Sequence, residues 1–186
     1  MVRSAEETRR KLLDAAVVEF ATYGISGARV ERITASAGVN NALLYRYFGN
    51  KSDLFETVFG ALTTTLVEAI GFTPDDLPAY AGALVDYCAE HPEVIRLAAW
   101  HRLEPGDRPL PEVVRKSLED RIVSIEEAQA AGRLTTTYPA AELLSLIHGL
   151  SLSQTAADVT ALWPDTTVLT EHKRMVTAAV AAILAS

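Results

Sequence analysis

The residues able to do chemistry are few, and most of their spacing points away from catalysis. The four histidines, His91, His101, His148 and His172, are scattered and accompany no HExxH, CxxC or GxSxG pattern. The single cysteine, Cys88, falls on an apolar helical stripe and has no partner for an internal disulfide. A metal site gathered by the fold from His91, His101 and a distant acid is the one catalytic alternative. The denser grouping lies between Asn40 and Lys51. Asn40, Asn41, Tyr45, Arg46 and Lys51 bring hydrogen-bonding and cationic groups close together, with the small Ala42 among them. That mixture suits nucleic acid, because amides read base edges while Arg, Lys and Tyr hold phosphates.

Two short helices must position these side chains. Val30, Ile33, Thr34 and Ala37 recur at i, i+3, i+4 and i+7, one buried stripe over two turns. Gly38 breaks that helix, and Asn40 is an N-cap for the next, with Val39 and Leu44 as its hydrophobic staple. The third helix runs from about Asn41 to Phe48, and Gly49-Asn50 ends it. With Val39, Leu44, Tyr47 and Phe48 turned inward, Asn41, Ala42, Tyr45 and Arg46 point out and Leu43 lies at the edge. A helix entering the major groove needs short polar residues near its N-terminus. Asn41 can bond a base edge, Ala42 allows close approach, and Asn40 can reach a phosphate at the positive helix end. Tyr45, Arg46 and Lys51 are placed on backbone phosphates.

The rest of the chain is helical in pattern, giving an all-α fold of about nine helices. Ser4-Ala5-Glu6-Glu7 has the form of a capping box opening a first helix with Leu12, Ala16 and Phe20 on its inner face, and Tyr23-Gly24 stops it. Asn50 can cap a fourth helix whose inner face reads Phe55, Phe59 (or Val58), Leu62, Leu66 and Ile70. Leu77 to Cys88 lines a fifth, His91-Pro92 starts a sixth, and Glu104 to Pro111 is a linker. A seventh carries Val114, Leu118, Ile122, Ile125 and Gln129 to Gly132. An eighth is expected from Pro139 to about Leu162, and a ninth, capped by Asp165, runs through Ile183. Residues 1–50 form a head and 51–186 a body.

Charge supports that division. The chain is −7 overall, yet residues 1–51 hold eight Lys/Arg against five Asp/Glu, so the remainder carries −10. A basic head on an acidic body binds phosphate locally while the body repels it. No apolar run approaches the ~18 residues needed to span a bilayer, and Met1 to Arg10 lacks the apolar core of a secretory signal. These features lead us to expect a cytoplasmic protein without a membrane partner.

Tyr23-Gly24, Val30 to Val39 (VERITASAGV), Leu44-Tyr45-Arg46-Tyr47-Phe48 and Lys51-Ser52-Asp53-Leu54-Phe55 closely resemble the N-terminal domain of the TetR family. The resemblance implies a bacterial homodimeric regulator, usually a repressor, that binds double-stranded DNA at a palindromic operator and is released by a small molecule held in its C-terminal domain. It implies no cofactor, metal or enzymatic activity, and association with the nucleoid when bound. It also implies DNA-contact roles for Asn40, Asn41, Tyr45, Arg46 and Lys51, and a role for Arg29 in the approach of the second helix. Three positions depart from the family pattern. Ala28 stands where Thr or Ser usually caps and touches phosphate, and Arg29 offers a charge in its place. Asn40 replaces a common Ser and keeps the capping chemistry. Leu43 replaces a common Thr and offers only apolar contact, for example to a thymine methyl.

The body has two expected jobs, sensing and self-association. Tyr80, Leu84, Tyr87, Cys88, Trp100, His101, Leu118, Ile122, His148 and Gln154 combine apolar walls with polar handles for an effector, with Trp100-His101 foremost. Each also reads as plain core. Ser145, Gly149, Ser153 and Ala157 form a small-residue ladder that lets another helix approach closely. With Val176, Ala179 and Ile183 of the alanine-rich last helix, it suits a four-helix dimer seam, or ordinary packing within one chain.

Overall fold

The computed structural model describes residues 2–103, 109–153 and 168–186. Every regular element among them is helical, with nine α-helices and one 3-10 turn. They form two compact units: Met1–Thr64 with Glu93–Pro111, and Thr65–Pro92 with Glu112–Ser186. No single helix among the described residues is long and apolar enough to cross a membrane.

The first unit contains α1 (Val2–Gly27), α2 (Val30–Ala37), α3 (Asn41–Phe48), the early turns of α4 (Lys51–Ala69) and α6 (Pro92–Leu103) from Glu93 onward. Helix α1 starts ahead of the expected capping box, because no Gly or Pro among the first residues interrupts it. Gly24 breaks it as expected, with φ 68° and ψ −178°. Leu12, Ala16 and Phe20, one turn apart, are fully buried. They meet Ile33 of α2, Leu44 of α3, Phe55 and Phe59 of α4, and Leu97 of α6 in one core. Phe20 and Phe55 pack edge to face at 5.2 Å. Burying each such ring stabilises the unit by about 1.5–3 kcal/mol. This shared core is why packing draws its line at Thr64 and places α6 here. The division at residue 50 followed the end of the helix-turn-helix.

The second unit is built from the end of α4, a 3-10 turn at Pro74–Asp76, α5 (Leu77–Glu90), α7 (Glu112–Ala130), α8 (Ala140–Ser151) and α9 (Val168–Leu184). Leu77, Tyr80, Ala81, Leu84 and Cys88 face inward along α5 as their spacing predicts. Gly132, at φ 70°, closes α7, with N–H groups of Gly132 and Arg133 returning to the carbonyls of Gln129 and Ala128. The Gln129 side chain then donates to the carbonyls of Thr135 and Tyr138 and fixes the turn into α8. Helix α8 runs to Ser151; residues 154–167, which include most of its expected continuation to Leu162 and the expected Asp165 cap, lie outside the described residues. Ser151 and Ser153 bond back to the carbonyls of Ile147 and Leu150, a competition that favours helix ends.

The expected self-association surface divides in two. Val176 is buried in the core of its own unit and Ile183 packs against that core, so these two serve intramolecular packing, and Ala179 is half-buried. Gly82 lets α9 lie close on α5, because an added Cβ would meet Lys173 at 3.2 Å and Thr177 at 3.3 Å. Ser145, Gly149 and Ser153 are exposed, beside an exposed Leu146 on α8. Met175, Ala178, Ala181 and Ala182 are exposed on α9. Ala157 lies outside the described residues.

Candidate nucleic-acid interface

The local sequence builds the turn between α2 and α3 without help from distant residues. Gly38 takes a left-handed conformation, φ 69°, and Gly38 and Val39 return their N–H groups to Ala35 and Thr34. Asn40 then caps α3, its side-chain oxygen accepting from the Leu43 N–H at 2.9 Å. Leu44 and Phe48 bury one side of α3, and Arg9 of α1 lies over the Phe48 ring at 5.6 Å. The opposite side is open. Asn40, Ala42, Tyr45 and Arg46 are exposed, while Asn41, Leu43 and Tyr47 are half-buried. Tyr45 keeps 48% of its surface in solvent although its neighbour Leu44 is fully buried.

Besides Asn40, two more of the expected contact residues are already engaged. The Thr34 hydroxyl lies 2.5 Å from the Asn41 side-chain oxygen and 3.0 Å from the Val30 carbonyl. Asn41 is therefore held at one end, and the other end of its amide is what remains for a base edge. The Lys51 ammonium donates to the Ala28 carbonyl at 3.0 Å and to the Ser26 carbonyl at 3.4 Å. Lys51 thus closes the α1–α2 turn with two of its three donors. Arg29 is the residue before α2, and its side chain is exposed.

A charge pair that the sequence reading missed sets α2 against α1. Glu19 is buried, and its carboxylate accepts from the Arg29 backbone N–H at 2.8 Å and from Arg32 Nε at 2.8 and 3.1 Å. Burial pushes the Glu19 pKa up, but the Arg32 fork and the Arg29 N–H outweigh it and hold the carboxyl below its usual range. Arg32 also donates to the Gly27 carbonyl and lies over the Tyr23 ring at 4.2 Å. Thirteen positions separate Glu19 from Arg32, so no local spacing announces the pair.

The expected effector residues fall in both units. Trp100 and His101 lie in the first unit. The Trp100 indole packs on Gly24, and His101 stacks on Phe59 at 4.7 Å. Their aromatic density is what a core needs as much as a pocket does. In the second unit Tyr80 and His148 do meet, O to Nε2, at 2.7 Å. Arg121, absent from the sequence-based set, donates to the Tyr80 oxygen at 2.6 Å. Because Arg121 can only donate, the Tyr80 proton goes to His148 Nε2 and His148 is neutral. Burial, then the nearby Arg121 charge, lowers the His148 pKa to about 4, and burial pushes Tyr80 up to about 12. Leu84 and Cys88 are buried, with burial pushing the Cys88 thiol up to about 11. The Tyr87 and His91 rings meet at 4.4 Å, tilted by 39°, and Leu118 and Ile122 pack against the core. Gln154 lies outside the described residues.

An open cleft of about 410 Å³ lies beside this group in the same unit. Val67, Phe72 and Val113 supply its apolar wall. Lys116, Ser117, Asp120, Arg121 and Ser124 supply its polar side, all from α7.

The first unit has the geometry of a helix-turn-helix DNA-binding protein, with a capped second helix whose polar face is open and whose apolar face is anchored. Comparison with known proteins narrows the class. Residues 12–58 match the family of bacterial regulatory proteins described as tetR, and residues 76–182 match the tetracyclin repressor-like C-terminal domain. The chain is 37% identical over 151 residues to the HTH-type transcriptional repressor SCO4008 of Streptomyces coelicolor, covering 80% of this chain and 79% of that protein. The crystal structure of SCO4942 from the same organism superposes with a TM-score of 0.83 at 32% identity, covering 95% of this chain and 97% of the other. A TetR family transcription regulator from Marinobacter aquaeolei shares the fold, with a TM-score of 0.75 at 19% identity over 96% and 98% of the two chains. The chain belongs to the TetR family. It is a DNA-binding transcriptional regulator and not an enzyme.

Proposed function

We propose that the chain is a cytoplasmic repressor that binds a palindromic operator as a homodimer and is released by a small molecule bound in its C-terminal body. The observation that carries the DNA reading is the open face of α3, where Tyr45 and Arg46 are exposed opposite buried Leu44 and Phe48. Asn41 and Ala42 face the base edges, Leu43 offers an apolar edge, and Asn40, Arg29, Tyr45 and Arg46 hold phosphates. Lys51 acts mainly by fixing the α1–α2 turn, with its third donor left for phosphate. Repression is supported by the naming of relatives such as SCO4008 and NicS of Pseudomonas putida as repressors.

Self-association uses the exposed Ser145, Gly149, Leu146 and Met175 surface of α8 and α9, where an added Cβ on Gly149 would meet nothing within 4 Å among the described residues. Two heads then read half-sites ~34–36 Å apart, one helical turn. Residues 1–50 carry the reading function, and 51–186 carry effector binding and dimerisation. The test is selection of bound sequences from random DNA, followed by the Tyr45→Ala/Arg46→Ala double variant on the enriched site. An enriched palindrome is expected, with affinity lost in the variant while the dimer persists. The salt dependence for the wild type should be steep, and Arg46→Ala alone should lower its slope by about one. Unchanged affinity in the double variant removes α3 from the interface.

A further inference from the structure

We propose that the α7 cleft of the second unit binds a singly charged organic anion, a carboxylate on an apolar body, with Arg121 as its counter-ion. This rests on the reading that the body holds an effector, and it names the chemistry that effector must have.

Arg121 carries a charge with no ion-pair partner among the described residues. It is half-buried, and among the described residues it forms one hydrogen bond, to Tyr80. Its guanidinium lies over two rings, Phe72 at 5.4 Å and Tyr80 at 4.9 Å. Aromatic faces offset part of the lost hydration of a cation, but only an anion neutralises it. The other hydrogen bond of Tyr80 is to neutral His148, so that pair supplies no negative charge either. One of the five N–H donors of Arg121 is used, which leaves the fork geometry that matches a carboxylate.

The rest of the cleft sets the charge and the shape of the guest. Lys116 is a second cation on the same face of α7, and Asp120 is the single acid there, so the lining carries one net positive charge. A monoanion balances it. A dianion meets the repulsion of Asp120, and a cation leaves Arg121 still unpaired. Ser117 and Ser124 lie about one and three turns beyond Val113 and add neutral donors. Val67, Phe72 and Val113 give the apolar wall that a bare inorganic anion would not need. A volume of about 410 Å³ falls in the range of about 300–1,000 Å³ usual for small-molecule sites.

The test uses the full chain and a matched panel read by calorimetry and by release of operator DNA. Each apolar skeleton, straight-chain or aromatic, is presented as a carboxylate, an alcohol, an amine and a phosphate monoester. At least one carboxylate should bind, about tenfold or more tighter than its alcohol, amine and phosphate congeners. Arg121→Gln should lose that advantage, and Arg121→Lys should recover part of it, because the charge returns without the fork. The unliganded Arg121→Gln protein should melt no lower than the wild type, since the variant removes an uncompensated half-buried charge, whereas a purely structural arginine would lower the melting temperature. Binding of a carboxylate unaltered by Arg121→Gln overturns the proposal. An amine or alcohol that binds best and releases DNA overturns it while leaving the effector reading in place. No binding by any charge class up to millimolar concentration sinks both.

Discussion

Replacing Gly24 by alanine should destabilise the DNA-reading unit by two separable routes. The backbone at Gly24, φ 68° and ψ −178°, lies in a region that only glycine enters freely, and a side chain there costs about 1–3 kcal/mol. The new methyl also has no room. A Cβ built at Gly24 lies 2.8–2.9 Å from three atoms of the Trp100 indole, and pushing a packed ring aside costs about a further 1–3 kcal/mol. Against a domain stability of about 5–15 kcal/mol the sum is large, and it translates into a fall in melting temperature on the order of 10 °C. Circular dichroism of the variant measures it. A double-mutant cycle with Trp100→Ala separates the two routes. Removing the indole should cost distinctly less in the Gly24→Ala background, because it relieves the clash but leaves the backbone strain. If the two substitutions are additive, or if Gly24→Ala melts within about 2 °C of the wild type, the close seating of Trp100 on the α1 break is refuted.

Two pH predictions follow from the buried titratable groups. Glu19 has a folded pKa below its ordinary 4.5, so the stability it contributes is complete above that value and is lost as pH falls below it. Glu19→Gln should melt lower at neutral pH and lose this acid-limb component, and an unchanged acid limb in urea titrations would remove the Glu19–Arg32 pair from the stability of the head. His148 is also depressed, from 6.5 to about 4, so its contribution is complete above 6.5 and falls away as pH drops toward 4. The loss is on the order of 3 kcal/mol, and His148→Gln, which still accepts the Tyr80 proton, should abolish that slope. Persistence of the slope in the variant would place the titrating group elsewhere.

The residues that legislate over short range could be read from the chain alone. Gly24, Gly38, Gly49 and Gly132 each adopt positive φ at the break that their position announces. Asn40 and Asn50 each cap the helix that follows, Asn50 accepting from the Asp53 N–H at 2.9 Å. The inner stripes of α1, α2 and α5 are buried where their spacing puts them. All of these are decided within about one helical turn, because a cap, a left-handed glycine and an i, i+4 stripe involve only near neighbours. The open face of α3 was legible for the same reason, since burying Leu44 and Phe48 leaves Tyr45 and Arg46 outside.

What required tertiary structure were the partners of long polar and aromatic side chains. The sequence identifies Lys51 as a cation but not the carbonyls of Ser26 and Ala28 that hold it. It marks Trp100-His101 as a dense aromatic pair, yet only the fold shows that Gly24, Phe55 and Phe59 claim them for the core of the head. It offers Val176 and Ile183 for a seam between subunits, and only the fold shows that Val176 is buried in the core of its own unit and that Ile183 packs partly buried against it. Arg121 went unnoticed, because a helix-surface arginine looks ordinary until Tyr80 and His148, distant in sequence, close around it. A rotamer-rich side chain reaches several ångströms in many directions, so its partner is chosen by how helices pack and not by what stands beside it in the chain. The sequence by itself therefore determined the helices, the turn and the open face of α3; the packing decided which charges are spent holding the fold.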